Sequence, residues 1–383
     1  MRDHLVQMFQ AGIAACHPRR VLPAHLPEAG RGRNIVLAIG KAAGEMAMVA
    51  EAHYRDAAGV AVVPHGVEAG LRRIELLHAG HPVPDQVSVA AAERLLALAG
   101  EAKADDLVLV LLSGGASALA CVPAGGMTLA DKQALTAALL RSGAPIAEIN
   151  CVRRHVSRIK GGRLALAATP ARLITLAISD VTGRPEDIGS GPTLADPTTI
   201  AEARAILERH GLDAALSETP KQVDGKFRIV ANAEDALRAV AAEAKRLGYR
   251  PLLLGQCTGE ARDVGRSHAR MALKAPPGTA LISGGELTVT VTGSGRGGPN
   301  TEYALAASLA LDGSDDIIGL AGDSDGLDGT SDAAGAFIAA RADGGAALLG
   351  NNAASVADLF VTGPTGTNVS DLRIILVGRL PPP

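Results

Sequence analysis

The stretch Leu107-Val108-Leu109-Val110-Leu111-Leu112-Ser113-Gly114-Gly115-Ala116-Ser117 decides the fold class. Six consecutive apolar residues leave no polar face, so they read as a strand covered on both sides. The glycine pair lets the backbone turn sharply, and Ser117 is placed to cap a helix that follows. A buried strand feeding a helix through a tight turn is the repeating unit of an α/β sheet. Working outward, similar apolar runs occur at Ile35–Ile39, Val60–Val63, Leu173–Ile178, Leu252–Leu254, Ala280–Ile282, Ile317–Leu320 and Ile374–Val377. Helical patterns lie between them at Val87–Leu98, Asp131–Leu140, Ala201–His210, Asp235–Leu247 and Thr301–Leu311. This alternation predicts a doubly wound α/β architecture. Glu286–Thr292 differs: it alternates polar and apolar residues, which predicts a half-buried, antiparallel strand. The L-L-S-G-G of 111–115 is echoed by L-I-S-G-G at 281–285.

A chain of 383 residues exceeds one ordinary core. The polar segment Ser217–Lys226, with Pro220 and Gly225, marks an expected boundary between domains 1–225 and 226–383. Hydrophobic residues are 47% and charged residues 20%, as in a globular protein. Aromatics are only 2% and Trp is absent, so the cores must be aliphatic. A net charge of −3 gives no basic footprint, and neither nucleic acid nor a membrane surface is expected as a partner. Residues Met1–Arg20 lack the apolar core of a signal peptide. The four cysteines show no C-x-x-C and the ten histidines no H-x-x-x-H, so no disulfide framework or zinc site is expected. A cytoplasmic setting follows, with a homodimer as an admissible assembly.

Six segments could carry chemistry. Ser113, Gly114, Gly115 and Ser117 form either a plain strand-to-helix turn or an anion loop. Gly40-Lys41-Ala42-Ala43-Gly44 sets one lysine at a strand end, suited to a phosphate or carboxylate, or simply solvated. No Walker A loop is present. From Asn150 to Arg163, cations crowd a slightly acidic chain. Arg153 and Lys160 are seven apart and would share a face if helical. With Asn150, Gly161 and Gly162 they make a candidate polyphosphate cradle or a solvated basic face. Ser179-Asp180-Val181-Thr182-Gly183 ends an apolar strand with a carboxylate able to bind Mg²⁺ or accept a hydroxyl proton. Gly322–Gly329 holds Asp323, Asp325 and Asp328, a hard-cation site or a capped turn. Gly293–Gly298 fits G-x-G-x-x-G, the sequence argument for a dinucleotide-dependent reductase.

Taken in order, these segments resemble the class II glycerate 2-kinase family. The resemblance rests on G-K-A-A at 40–43, H-P-V-P-D at 81–85, L-L-S-G-G-A-S-A-L at 111–119 and the Asn150–Gly162 run. It continues through S-D-V-T-G at 179–183, G-S-G-P-T at 189–193, S-G-G-E-L-T-V-T at 283–290, G-R-G-G-P-N-T-E-Y-A-L at 295–305, G-D-S-D-G-L-D-G at 322–329 and T-G-P-T-G-T-N-V at 362–369. It implies a Rossmann-like glycerate-kinase domain, then a smaller MOFRL-like α/β domain with a mixed sheet, and an active site in the interdomain cleft. It also implies ATP and Mg²⁺ as cofactors and 2-phosphoglycerate as product. Lys41 matches the family's catalytic lysine. Many members carry an Arg where Pro299 stands, and here Arg296 is the nearest cation. On this reading Lys41, Asp180 and Arg296 are catalytic. Gly40, Glu286 and Asn300 contact substrate, and Asp180, Asp323 and Asp328 face the metal. Some relatives bear hydroxypyruvate reductase names, which leaves an NAD(P)H-dependent hydroxypyruvate reductase as the alternative.

Overall fold

The computed structural model describes residues 1–180, 183–311 and 313–378. The chain forms two compact units, Val21–Val230 and Met1–Arg20 with Ala231–Pro383.

The first unit is built on β1 (Asn34–Ile39), β2 (Ala58–Pro64), β3 (Ile74–Ala79), β4 (Leu107–Leu112), β5 (Arg172–Ser179) and β6 (Lys226–Asn232). Their order in the sheet is β3-β2-β1-β4-β5-β6. β1 lies parallel to β2 and β4, β2 to β3, and β4 to β5. Every residue of β1 and β4 is buried, as continuous apolar runs require at the centre of a covered sheet. Leu37, Ile39, Val108 and Val110 pack with Ala91, Leu95 and Leu164 in one core. The helix Gln86–Gly100 starts at Asp85, whose carboxylate accepts the Ser88 N–H at 2.8 Å.

The second unit holds β7 (Arg250–Gln256), β8 (Thr279–Gly284), β9 (Ile317–Asp323), β10 (Gly335–Ala339), β11 (Asp358–Phe360) and β12 (Asp371–Val377), in the order β11-β10-β9-β12-β8-β7. β7 and β8 are parallel, and the other pairings are antiparallel. The sheet is therefore mixed, as expected. The helix Arg2–Cys16 joins this unit and buries Leu5, Met8 and Phe9 there, with the Phe9 ring edge-on to Phe360 at 5.1 Å. No helix among the described residues is long and apolar enough to cross a membrane.

Three local expectations need correction. Glu286–Thr292 is no ladder strand: it makes one bridge, Thr288 to Glu260. Its alternation still sorts burial, with Leu287 inside and Glu286, Thr288 and Thr290 outside. Arg153 and Lys160 do not share a helix, because Ile146–His155 ends first and Gly161 and Gly162 turn left-handed. Ser117 is not a helix cap. Gly115 holds that position at φ +83°, and the helix it opens, Ala116–Leu119, is a single turn.

Candidate active site

In the first unit the strand order reverses between β1 and β4. From there β2 and β3 run to one side and β5 and β6 to the other. Open parallel sheets bind ligands outside the carboxyl ends of the strands at such a reversal, because the two following loops diverge and leave a crevice. The two turns there are Gly40–Ala42 and Ser113–Gly115, and they are tied together. The Lys41 N–H donates to Gly114 O at 2.9 Å, and the Ala42 N–H to Ser113 Oγ at 3.0 Å. Gly40, at φ +135°, has no room for a side chain, since a Cβ would stand 2.1 Å from Ser113 Oγ. Ser113 is fully buried and fixes the turns. At Gly115 a Cβ would come within 3.0 Å of the His81 ring and 3.4 Å of Lys41 Cγ. Glycine there lets lysine, histidine and loop pack side by side. Asp180 follows β5 at the same edge, and Val181 and Thr182 lie outside the described residues.

A cavity of about 730 Å³ opens beside these turns, lined by His81–Pro84, Gly115, Ser117, Ala118, Cys121, Lys132, Gln133, Arg153, Lys160 and the Ala130–Leu140 helix face. Its size suits a cofactor-sized ligand. Its charged lining residues are Lys132, Arg153 and Lys160, with no carboxylate among them. The Lys132 ammonium donates to Val156 O at 2.9 Å, and burial pushes its pKa down to about 8. Lys160 is fully enclosed. It donates to Ser117 O (2.8 Å), Ala120 O (3.3 Å) and Gly189 O (3.4 Å), and burial, with Lys132 adding repulsion, pushes its pKa down to about 7. Burial also lowers the Arg153 guanidinium. Lys160 thus stitches the Ser117 turn to the Gly189 loop. The Gly161 and Gly162 N–H groups reinforce the join by donating to Ser190 O and Gly191 O at 3.1 and 2.8 Å. Asn150 is buried and donates to Asp187 Oδ1 at 3.0 Å. Lys132 and Lys160 are held by protein carbonyls, whereas among the described residues no hydrogen bond holds the Arg153 side chain, which suits it to a ligand.

His81, Cys121, Lys132 and Gln133 line this cavity without having been singled out as site residues. His81 sits in the quoted H-P-V-P-D segment. Lys132 had no signal, because a lysine inside an amphipathic helix reads as solvated.

In the second unit, Glu286 is exposed, and Arg296 is exposed and paired with Asp332 at 3.0 Å. Asp328 is buried, and its two oxygens accept the Asn300 and Thr301 N–H groups at 2.9 and 2.8 Å, capping the helix Pro299–Ala310. Burial raises its pKa to about 6. Asp323 Oδ1 accepts the Asp325 N–H at 3.0 Å, an Asp turn at the end of β9. Among the described residues no group of three or more His, Cys, Asp and Glu side chains is arranged to hold a metal. Mg²⁺ is commonly held by one or two carboxylates together with phosphate oxygens and water. Asp180, a single carboxylate directly after β5 at the carboxyl ends of the parallel strands, fits that donor set. Asp328, with both oxygens used by the helix start, does not.

The Gly293–Gly298 loop has a different purpose from its pattern. A dinucleotide fingerprint follows a buried strand and aims its N–H groups at pyrophosphate. β8 ends at Gly284 and no strand runs directly into this loop, and Asn351 Oδ1 takes the Thr292 and Gly293 N–H groups at 2.6 and 2.8 Å. Its glycines make room for neighbouring chain: a Cβ would lie 2.3 Å from Gly350 O at Gly293, and 2.4 Å from Asp328 Oδ1 at Gly298.

Comparison with known proteins agrees with the fold. A profile described as "Domain of unknown function (DUF4147)" matches residues 4–224, and the MOFRL family profile matches residues 279–371. A protein of Agrobacterium vitis provisionally named a hydroxypyruvate reductase is 45% identical, over 98% of this chain and 94% of that one. D-glycerate 2-kinase of Thermotoga maritima is 37% identical over 97% of both chains. A crystal structure of glycerate kinase from Thermotoga maritima superposes with a TM-score of 0.88 at 36% identity, covering 98% of this chain and 99% of that one. With both profiles matched in order and these relatives spanned almost end to end, the chain belongs to the class II glycerate kinase family.

Proposed function

We propose that the protein is a glycerate 2-kinase, transferring the γ-phosphoryl group of ATP to the 2-hydroxyl of glycerate to give 2-phosphoglycerate and ADP. The observation that carries this reading is the cation-lined cavity at the strand-order reversal, beside Lys41 and the two glycine turns. Glycerate and ATP are both anions, and phosphoryl transfer depends on positioning and charge neutralisation more than on covalent chemistry by the protein. In this reading Arg153, with Lys132 and Lys160 behind it, holds the triphosphate. The N–H groups of Gly114, Gly115 and Ser117 orient it, those of Ser113 and Ala116 being used by Ile39 O and Ser113 O. Lys41 stabilises charge on the transferred phosphoryl group. The 2-hydroxyl oxygen bonds to phosphorus as the bond to the β-phosphate oxygen breaks, and the hydroxyl proton passes to an oxygen of the transferred phosphoryl group, since no carboxylate lines the cavity. Asp180 would hold Mg²⁺, which when bound offsets phosphate charge. The apolar wall of Ala130, Ala134, Ala137 and Leu140 suits the flat face of the base. We further place the protein in the cytoplasm, acting on small molecules.

The reductase name carried by some relatives is the second reading. The internal use of the Gly293–Gly298 loop argues against it, as does a lysine where the first strand's turn would need a glycine-rich fingerprint. The deciding assay mixes the protein with glycerate, ATP and Mg²⁺ and couples the product to enolase, which accepts the 2-phosphate and not the 3-phosphate. A parallel reaction follows NADH absorbance with hydroxypyruvate. Enolase-dependent product supports the kinase. NADH oxidation without ADP formation would replace it with the reductase.

A further inference from the structure

His81 follows β3, the edge strand of the first unit's sheet, yet its ring reaches the turn after β4. A Cβ on Gly115 would stand 3.0 Å from His81 Cδ2, 3.1 Å from its Nε2 and 3.4 Å from Lys41 Cγ. The loops after β1, β3 and β4 therefore meet at one point, although β2 separates β3 from the others. Glycine at 115 keeps the approach to that point open, because a side chain would stand against both the imidazole and the lysine. The segment that delivers His81 is anchored on several sides. Asp85 caps the helix Gln86–Gly100, and its Oδ2 lies 2.7 Å from His65 Nε2 in the loop after β2. From the Leu129–Arg141 helix, Gln133 Nε2 donates to Pro84 O at 2.7 Å. A Cβ on Gly80 would stand 2.5 Å from Val83 O, so the chain curls tightly back on itself there. Within His81–Pro84 only the histidine is polar. A braced loop that holds one polar ring at a cavity is how a fold presents a ligand-reading side chain.

Packing against a glycine turn would be served as well by an apolar ring. The half-buried imidazole adds a hydrogen-bond donor to the cavity lining, in its neutral and in its charged form alike. That lining carries cations and no carboxylate, so an N–H here addresses an anion. Lys132 and Lys160 are tied to main-chain carbonyls elsewhere in the cavity. His81 instead stands by Lys41, where the kinase reading puts the phosphoryl group that is transferred. We propose that His81 is a further catalytic residue: its Nε2–H, beside Lys41, holds an oxygen of the terminal phosphate of a nucleoside triphosphate, so that the site tells a triphosphate from a diphosphate. This rests on the kinase reading for its ligand, and on the meeting of the three loops for its place.

The test is calorimetric binding of ATP and of ADP, each with Mg²⁺, to the full chain without glycerate, followed by steady-state kinetics. One hydrogen bond to a charged oxygen corresponds to roughly a tenfold to hundredfold change in affinity. The unaltered protein is expected to prefer ATP over ADP by about tenfold or more. His81→Leu keeps an apolar side chain of similar size against Gly115 and removes the donor. It should weaken ATP by that factor, leave ADP within about twofold, and lower kcat by about 10²-fold. His81→Gln, whose amide reaches as far as Nε2, should retain most of the ATP preference. His81→Asn, whose amide reaches only as far as Nδ1, should lose it, and this pair decides the matter if His81→Leu fails to fold. Equal binding of ATP and ADP by the unaltered protein overturns the proposal. So does equal weakening of both nucleotides in folded His81→Leu, which would make the ring a packing element, or the same ratio in the Gln and Asn variants. Product formation together with an unchanged ATP-to-ADP ratio in His81→Leu sinks this proposal and leaves the kinase. An ATP preference lost in His81→Leu, with no phosphorylated product from the unaltered protein, sinks the kinase reading and leaves this site standing.

Discussion

Lys160 offers a test that activity alone does not. Its ammonium is fully enclosed and its pKa lies near 7, below the ordinary 10.5. The folded chain therefore gives up a proton that the unfolded chain keeps. Wherever the unfolded state binds more protons, stability rises with pH, so the penalty is full below about pH 7 and is relieved as pH climbs toward 10.5. Integrating over one pH unit, from 7 to 8, Lys160 should add about 1 kcal/mol to the unfolding free energy. Lys132, with its pKa near 8, adds about a third as much over the same interval. Lys160→Met removes the larger contribution and keeps the volume. It also strands the carbonyls of Ser117, Ala120 and Gly189, so its absolute stability reflects two opposed effects. The pH slope is free of that ambiguity. Urea unfolding of both proteins at pH 7 and pH 8 should show the variant gaining about 1 kcal/mol less across the interval. Equal gains would mean that the ammonium is solvated, and the closed account of the cavity floor would fail.

Four further outcomes are expected. Lys41→Ala should lower phosphoryl transfer by about 10²-fold or more in the enolase-coupled assay while keeping the Gly114 hydrogen bond, which its main chain makes; near-normal turnover would remove Lys41 from the chemistry. Gly115→Ala should destabilise by about 1–2 kcal/mol, from its left-handed backbone and the His81 ring 3.0 Å from the added Cβ, as read by thermal melting. Asp328 has a raised pKa, so its folded form binds more protons and stability falls as pH rises from 4 to 6, by about 2 kcal/mol; Asp328→Asn should flatten that slope in denaturant titrations. Chelating Mg²⁺ should abolish product formation in the enolase-coupled assay, and Asp180→Asn should raise the Mg²⁺ concentration needed, whereas an unchanged Mg²⁺ titration would exclude Asp180 as a ligand.

The central sheet was legible because burial writes itself into composition. β1 and β4 are covered on both faces, and their apolar runs match the strands closely. β3 escaped because Glu75 and His78 interrupt its apolar pattern, and β6 because Lys226 and Arg228 do so at an exposed edge. The turns carrying Lys41 and Ser113–Gly115 could be read because glycine marks them. Their mutual hydrogen bonds depend on the strand order, which no local pattern encodes. The run 150–163 is rich in cations, yet its charges divide by burial. Arg158 is exposed, and Lys160 is enclosed by a fold that only long-range packing creates. Gly293–Gly298 is the reverse case: the pattern is present, but its glycines serve chain-to-chain packing.

The opening helix has a consequence for how the protein is made. Leu5, Met8 and Phe9 find their partners on elements from Ala233 onward: Phe9 meets Phe360, and a Cβ at Gly12 would strike Leu372 and Val240. As a ribosome extends the chain, this apolar stripe must wait for more than two hundred intervening residues, while the central parallel sheet can already fold. A segment made before the parallel sheet is thus buried after it. A fragment beginning at residue 231 would expose the surface that the helix covers.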